Sequence, residues 1–164
     1  MTPAGTVIPT LYAGTTLDCA LMETVFHDVP FAPGLKNWSK ATHVADKAYS
    51  MVTLNRNLAL INLSAIPLRK LGIARKELIE SDAAHYPETR AWALALHDQY
   101  LKAEGLTWTS RQADPARALV LFEDHLAGSA FTVTAGATPL LQPDGSAILD
   151  VLLLAQRLGV NLIP

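Results

Sequence analysis

Apolar positions recur along the chain at both strand and helix spacing, so the sequence predicts short elements of both kinds. Strands are predicted at residues 9–14, 48–55, 57–64, 106–111, 118–124, 130–136 and 160–164. Helices are predicted at residues 15–28, 66–72, 74–81, 87–103 and within 143–159, where a turn leads into a capped helix. Residues 30–45 contain two prolines and a glycine and are predicted to be a long loop. This mixture indicates a single α+β domain with mixed β-sheets and flanking helices.

The stretch "LYAGTTLDCALMETVFHD", residues 11–28, joins a predicted strand to a predicted helix. Two threonines can cap the helix, and Leu17, Leu21 and Val25 form an apolar stripe at four-residue spacing. A proline soon after the stretch stops the helix. The pattern therefore places Glu23 in the middle of an apolar helix, where a carboxylate is either a solvated helix residue or the acidic group of a site.

The helix over residues 87–103 has the strongest pattern of all. Pro87 suits the first turn of a helix, and Trp92, Leu96 and Tyr100 recur every four residues. These three side chains are predicted to share one face.

Composition narrows the classes of function. The chain has 164 residues, half of them apolar, and a formal net charge of −2, so direct nucleic-acid binding is not expected. Its mean hydropathy of +0.21 favours a large core or an apolar surface for a partner. The lone cysteine, Cys19, fits a reducing, cytoplasmic setting, and no Cys/His set has zinc spacing, so no metal is expected. We see neither a signal peptide nor an apolar run long enough to span a membrane.

Two further positions are candidates for chemistry beside Glu23. In "WTSRQ", strand alternation puts Trp108 and Ser110 on one face and Arg111 on the other, so Ser110 can enter a cleft beside an aromatic ring. The alternative is an ordinary strand-end serine. His27 lies one helical turn beyond Glu23, and its alternative is a charged histidine at the negative end of the helix.

Tyr12 lies at the end of the first predicted strand, and its residue type alone predicts a core or half-buried aromatic side chain. The motifs of Rossmann, P-loop, α/β-hydrolase and zincin proteins do not occur in the sequence.

In order along the chain, "LYAG", "ALMETVFHD", "RNLALINLS", "TRAWALALH", "GLTWTSR" and "ALVLFEDH" resemble the RES-domain family of bacterial toxin–antitoxin systems. The resemblance runs from Thr6 to the end of the chain and puts Tyr12, Glu23 and Ser110 on the family's Tyr, Glu and Ser positions, with Arg111 following the serine. It implies a fold similar to ADP-ribosyltransferase toxins and an enzyme that consumes NAD, with no metal.

The resemblance also implies roles for these residues. Glu23 and Ser110 would be catalytic: the carboxylate would stabilise positive charge on the ribose as the nicotinamide bond breaks, and the hydroxyl would bond the ribose or the amide. Tyr12 would stack on nicotinamide, with Arg111 and His27 as further substrate-binding groups. The acceptor, which is water, phosphate or a protein side chain, stays open.

The family's arginine lies upstream of the tyrosine strand, and residues 1–11 contain none; the first arginine is Arg56. We therefore expect residues 1–164 to form a RES-like domain without the Arg-bearing segment, either truncated or degenerate. Arg56 and Arg111 are the candidate substitutes.

Three hypotheses follow. The leading one is a cytoplasmic toxin that cleaves NAD by glycohydrolysis, phosphorolysis or ADP-ribosyl transfer and pairs with an Xre-like helix-turn-helix antitoxin, with homo-oligomers inside that complex left open. The second is an inactive RES-like member that only binds NAD or the antitoxin. The third is an unrelated α+β domain in which Glu23 is ordinary surface.

Overall fold

A computed structural model describes residues 7–80, 85–141 and 146–164. The strands in this part of the chain are β1 (Thr10–Gly14), β2 (Lys36–Ser39), β3 (Ala48–Leu54), β4 (Leu60–Asn62), β5 (Gly105–Thr109), β6 (Arg117–Phe122), β7 (Phe131–Pro139) and β8 (Val160–Ile163). The helices are α1 (Leu17–Met22), α2 (Lys40–His43), α3 (Ala65–Lys70), α4 (Arg75–Leu78), α5 (Tyr86–Gln99) and α6 (Ser146–Arg157), with a 3-10 turn at Glu123–His125. The predicted α+β class is confirmed. The turn predicted before α6 lies outside the described residues.

The chain forms two compact units, each made of two segments. The first unit combines the chain up to Glu23 with Asn57–Ala130, and the second combines Thr24–Arg56 with Phe131–Pro164. Within the described ranges, no helix is both long enough and apolar enough to cross a membrane.

The first unit is built on a four-stranded sheet in the order β1-β6-β5-β4. The β1–β6 and β6–β5 pairs are antiparallel, and β5–β4 is parallel. Tyr12 is opposite Val120, which is opposite Leu106, so these three residues share one face of the sheet. Leu106 and Val120 belong to a cluster of buried apolar side chains on that face. Its members are Leu63, Leu68, Ile73, Leu96, Leu106, Val120 and Phe122.

Helix α5 confirms the strongest helix prediction and corrects its length. Pro87 does lie in the first turn, but the helix ends at Gln99 and not at residue 103. Of the predicted stripe only Leu96 is buried, whereas Trp92 and Tyr100 are 40% and 44% exposed. A four-residue repeat drifts around a helix with 3.6 residues per turn, which turns Trp92 away from the direction of Leu96. Tyr100 follows the last residue of the helix and is its C-cap.

Helix α1 begins as predicted and ends early. Thr16 is the N-cap, and its hydroxyl accepts a hydrogen bond from the Cys19 N–H at 3.1 Å. The helix ends at Met22, so Glu23 is the C-cap residue and is not mid-helix. The chain passes from the first unit into the second directly after Glu23, and the predicted stripe is divided there, because Val25 is buried in the second unit.

The second unit contains a parallel pair, β2–β8, and an antiparallel ribbon, β3–β7. The prediction of a structureless loop over residues 30–45 is wrong, because this segment holds β2 and α2. The pairing of β2 with β8 joins residues that are 124 positions apart, and local sequence carries no signal for it. Helix α6 ends before Gly159, whose φ of +65° is the left-handed conformation predicted for its C-cap.

Candidate functional site

Glu23 lies at the C-terminal end of α1, with its side chain half-buried. Its backbone N–H donates to the carbonyl of Cys19 at 3.0 Å, which fixes the residue to the last turn of the helix. A carboxylate at this end faces the negative pole of the helix dipole, which opposes its charge. The charge of Glu23 is therefore unfavourable with respect to the dipole of α1.

Helix α1 is packed closely on the end of β1. A Cβ atom added at Gly14 would lie 2.6 Å from the backbone nitrogen of Ala20 and 3.0 Å from the Cβ of Cys19. Only glycine allows this approach. Strand residues two apart share a face and are roughly 7 Å apart. Tyr12 therefore lies on the same face of β1 as Gly14, where α1 packs.

Ser110 directly follows β5, and its side chain has no exposed surface. Its hydroxyl oxygen accepts hydrogen bonds from the backbone N–H groups of Gln112 and Ala113 at 3.1 and 3.0 Å. Its own N–H donates to the carbonyl of Ala116 at 2.9 Å. The hydroxyl thus closes a tight turn inside the protein and does not face solvent, in contrast to the expected contact with a substrate.

Cys19 connects Ser110 to Glu23. Burial and the nearby negative charge of Glu23 raise the pKa of the Cys19 thiol, and this rise is partly offset by hydrogen bonds from the Ser110 side chain and the Thr15 backbone. Glu23 and the Ser110 side chain therefore both influence the pKa of one buried thiol. We call these three residues the Glu23–Cys19–Ser110 cluster. The sequence analysis missed Cys19 as a member, although its spacing of four residues from Glu23 was an available signal.

Tyr12 differs from the cluster in its access to solvent. Its side chain is 60% exposed at the edge of the face that also carries Val120. The ring can therefore be reached by a planar ligand without rearrangement. The predicted pairing of Trp108 and Ser110 on one face agrees with the structure, since Trp108 packs against the apolar cluster and Ser110 is buried two residues later.

Arg111 and His27 lie outside the Glu23–Cys19–Ser110 cluster. Arg111 is exposed, and its Nη1 donates to the carbonyl of Glu80 at 3.1 Å. His27 belongs to the second unit, where its Nδ1 lies 2.9 Å from Oδ1 of Asp28. Its predicted contact with substrate remains a prediction.

A model of one protein family, the RES domain, matches residues 3–143 of the chain. The chain belongs to the RES domain family. The matched residues of this RES domain include Tyr12, Glu23, His27, Ser110 and Arg111. Searches of curated proteins and of solved structures gave no match, so the expected likeness to the ADP-ribosyltransferase fold stays a prediction.

The variant Ser110→Ala is expected to lower the free energy of unfolding of the RES domain by about 1–3 kcal/mol. It removes the acceptor of two backbone N–H groups and the hydroxyl partner of Cys19. Urea unfolding measures the change, with Ser50→Ala on an exposed position of β3 as control. Equal, small losses in both variants would contradict the structural role of Ser110.

The raised pKa of Cys19 predicts a pH dependence of stability. The folded state keeps the thiol protonated at a pH where the unfolded chain loses the proton. The stability that the protonated Cys19 thiol contributes is therefore complete below the ordinary thiol pKa, and it is lost as the pH rises through the pKa of the folded state. Between about pH 7 and about pH 10, the free energy of unfolding should fall more for the native chain than for Cys19→Ala. Parallel pH curves in urea unfolding would rule out the shift.

Proposed function

We propose that this RES domain is the toxin of a toxin–antitoxin pair and that it consumes NAD by cleaving the bond between nicotinamide and ribose. Membership of the RES domain family is consistent with an NAD-acting domain of such a system. The observation that carries the proposal for this chain is the position of Glu23, a half-buried carboxylate at the end of α1, one helical turn from the buried Cys19 thiol.

The proposed reaction breaks the bond from C1′ of the ribose to the nicotinamide nitrogen. The bonding electrons leave with nicotinamide, which becomes neutral, and C1′ acquires the positive charge of an oxocarbenium-like state. The Glu23 carboxylate stabilises that charge electrostatically and accepts hydrogen bonds from the ribose hydroxyls. A water oxygen then forms the new bond to C1′, and its proton is released, which leaves ADP-ribose.

The other predicted residues bind and position the substrate in this proposal. The exposed ring of Tyr12 stacks on the nicotinamide. Arg111, exposed next to Ser110, is the candidate cation for the diphosphate, because a guanidinium can bind phosphate oxygens in a bidentate manner. His27 belongs to the second unit and has no assigned role in this reaction. Ser110 acts as a positioning residue, since it is buried and its side chain is hydrogen-bonded to the Cys19 thiol.

A helix-turn-helix antitoxin is the proposed partner, and any contact with DNA would come from it, because this chain has a net charge of −2. Exposed apolar side chains of the second unit are consistent with a protein partner. They lie on β3, β7 and α6: Met51, Val52, Leu54, Val133, Leu149, Leu152 and Leu153.

A second candidate function is supported by the burial of Ser110. A RES domain whose family serine is closed off from solvent, with its hydroxyl already engaged, could bind NAD or an antitoxin without turnover. In that case NAD would bind and remain intact.

The test is incubation of the purified chain with NAD in buffers with and without phosphate, with separation of the products. We expect release of free nicotinamide, with ADP-ribose as the other product if water is the acceptor and a phosphorylated ADP-ribose if phosphate is. Transfer to protein would appear as an increase in protein mass. Intact NAD under all conditions, together with measurable NAD binding, would replace the first function with the second.

A further inference from the structure

Two histidines and an aspartate come together where the last turn of α5 meets the 3-10 turn after β6. His97, in α5, is buried, whereas Asp124 and His125 lie in the 3-10 turn. Among the described residues, one potential ligand atom from each of these three lies within 4.8 Å of the other two. We call them the His97–Asp124–His125 cluster. All three belong to the first unit.

The ring of His97 lies between two carboxylates. Its Nδ1 lies 3.0 Å from Oδ1 of Asp98, and its Nε2 lies 2.9 Å from Oδ2 of Asp124. A neutral imidazole carries only one N–H, so it can donate to one of these carboxylates but not to both. A metal ion at Nε2 would bind both this ring nitrogen and the Asp124 carboxylate.

His125 is held in the form that binds metals. Its Nδ1 lies 2.8 Å from the carbonyl oxygen of Ala103, and because a carbonyl only accepts, Nδ1 carries the hydrogen. In the neutral ring this leaves the lone pair on Nε2. The imidazole rings of His97 and His125 stack face to face, with 4.0 Å between centroids and 11° between planes, so one ring must turn before both Nε2 atoms can point at one ion.

We propose that the His97–Asp124–His125 cluster binds a divalent first-row transition metal ion of the zinc type. Two imidazole nitrogens and one carboxylate are donors that favour Zn²⁺ over Mg²⁺ and Ca²⁺, which prefer oxygen ligands. Asp98 and the Ala103 carbonyl accept the remaining ring hydrogens, as the outer partners of metal-bound histidines usually do. The side chain of Asp124 is 48% exposed, so an ion can enter from solvent and keep a water as its fourth ligand.

This inference is independent of the proposed NAD chemistry, because it uses none of the same residues. No metal was predicted from the sequence, because both β5 and β6 lie between His97 and the Asp-His pair and the spacing matches no zinc motif. Only the fold brings the ligands together.

The test is calorimetric titration of the full chain with Zn²⁺ and with Co²⁺, whose visible absorption reports four-coordinate nitrogen and oxygen ligands. We expect one ion per chain, loss of binding in His97→Ala and His125→Ala, and about 10- to 100-fold weaker binding in Asp98→Asn, which alters only an outer partner. His43→Gln, which removes a histidine outside the cluster, is the matched control and should bind like the native chain.

Absence of saturable binding to the native chain would overturn the proposal. Unchanged affinity in His97→Ala would overturn it as well. Asp124→Asn preserves the size of the side chain and provides the same test if an alanine variant does not fold. Glu23→Gln should bind the metal normally, so a failure of the metal proposal is distinguishable from a failure of the NAD proposal.

Discussion

Replacement of Glu23 with glutamine is expected to slow the release of nicotinamide from NAD by on the order of 10²-fold or more. Glutamine has nearly the same size as glutamate but no negative charge, so it cannot stabilise the positive charge that develops on the ribose. The position is half-buried at the end of α1, and the amide can occupy the same space. The measurement is kcat from initial rates of nicotinamide release at saturating NAD.

The matched control for this variant is Glu88→Gln, which removes an exposed carboxylate from the first turn of α5. It should cost at most about 1 kcal/mol of stability through the helix dipole and should leave kcat unchanged. If both variants cleave NAD at the native rate, Glu23 is not the group that stabilises the transition state. If both are equally slow, the effect is one of general charge or stability and not of the site.

Replacement of Gly14 with alanine is expected to lower the free energy of unfolding by about 1–3 kcal/mol and to reduce the rate of NAD cleavage. The new methyl group would lie 2.6 Å from the Ala20 nitrogen and 3.0 Å from the Thr16 oxygen. Both are backbone atoms of the α1 region and cannot turn aside, so the helix must shift on β1. Since α1 carries Glu23 at its end, the shift displaces the carboxylate. Urea unfolding and kcat, measured at a temperature where the variant is folded, follow the two effects.

Gly136→Ala provides the corresponding control. An added Cβ at this position of β7 meets nothing within 4 Å, so stability should change by no more than about 0.5 kcal/mol. NAD cleavage should be unaffected. Equal losses of stability in the two variants would show that the contact between Gly14 and α1 is not the cause.

Local signals in the sequence were sufficient for most elements of the first unit. The strand over residues 9–14 and the threonine cap of α1 were predicted, because alternation and capping depend on neighbouring residues. The end of α1 was not predicted, because it is set by the passage of the chain into the second unit, which buries Val25 elsewhere. The same limit applies to β2, whose partner β8 lies near the other end of the chain.

The candidate site shows a similar division. Glu23 and Ser110 were selected on residue type and resemblance, and both influence the pKa of the buried Cys19 thiol. The burial of Ser110 could not be predicted, because it depends on the turn that its hydroxyl makes with Gln112 and Ala113. The approach of His97 to His125 likewise depends on the packing of α5 against the end of β6, and neither residue carries that information locally.

The central claim is that this RES domain acts as a toxin by consuming NAD through Glu23. Its most direct test is the NAD content of bacterial cells after induction of the native chain, compared with cells that produce Glu23→Gln to the same level. The account predicts that NAD falls and growth stops only in cells with the native chain. Arrest of growth with undiminished NAD, or equal loss of NAD with both chains, would contradict it.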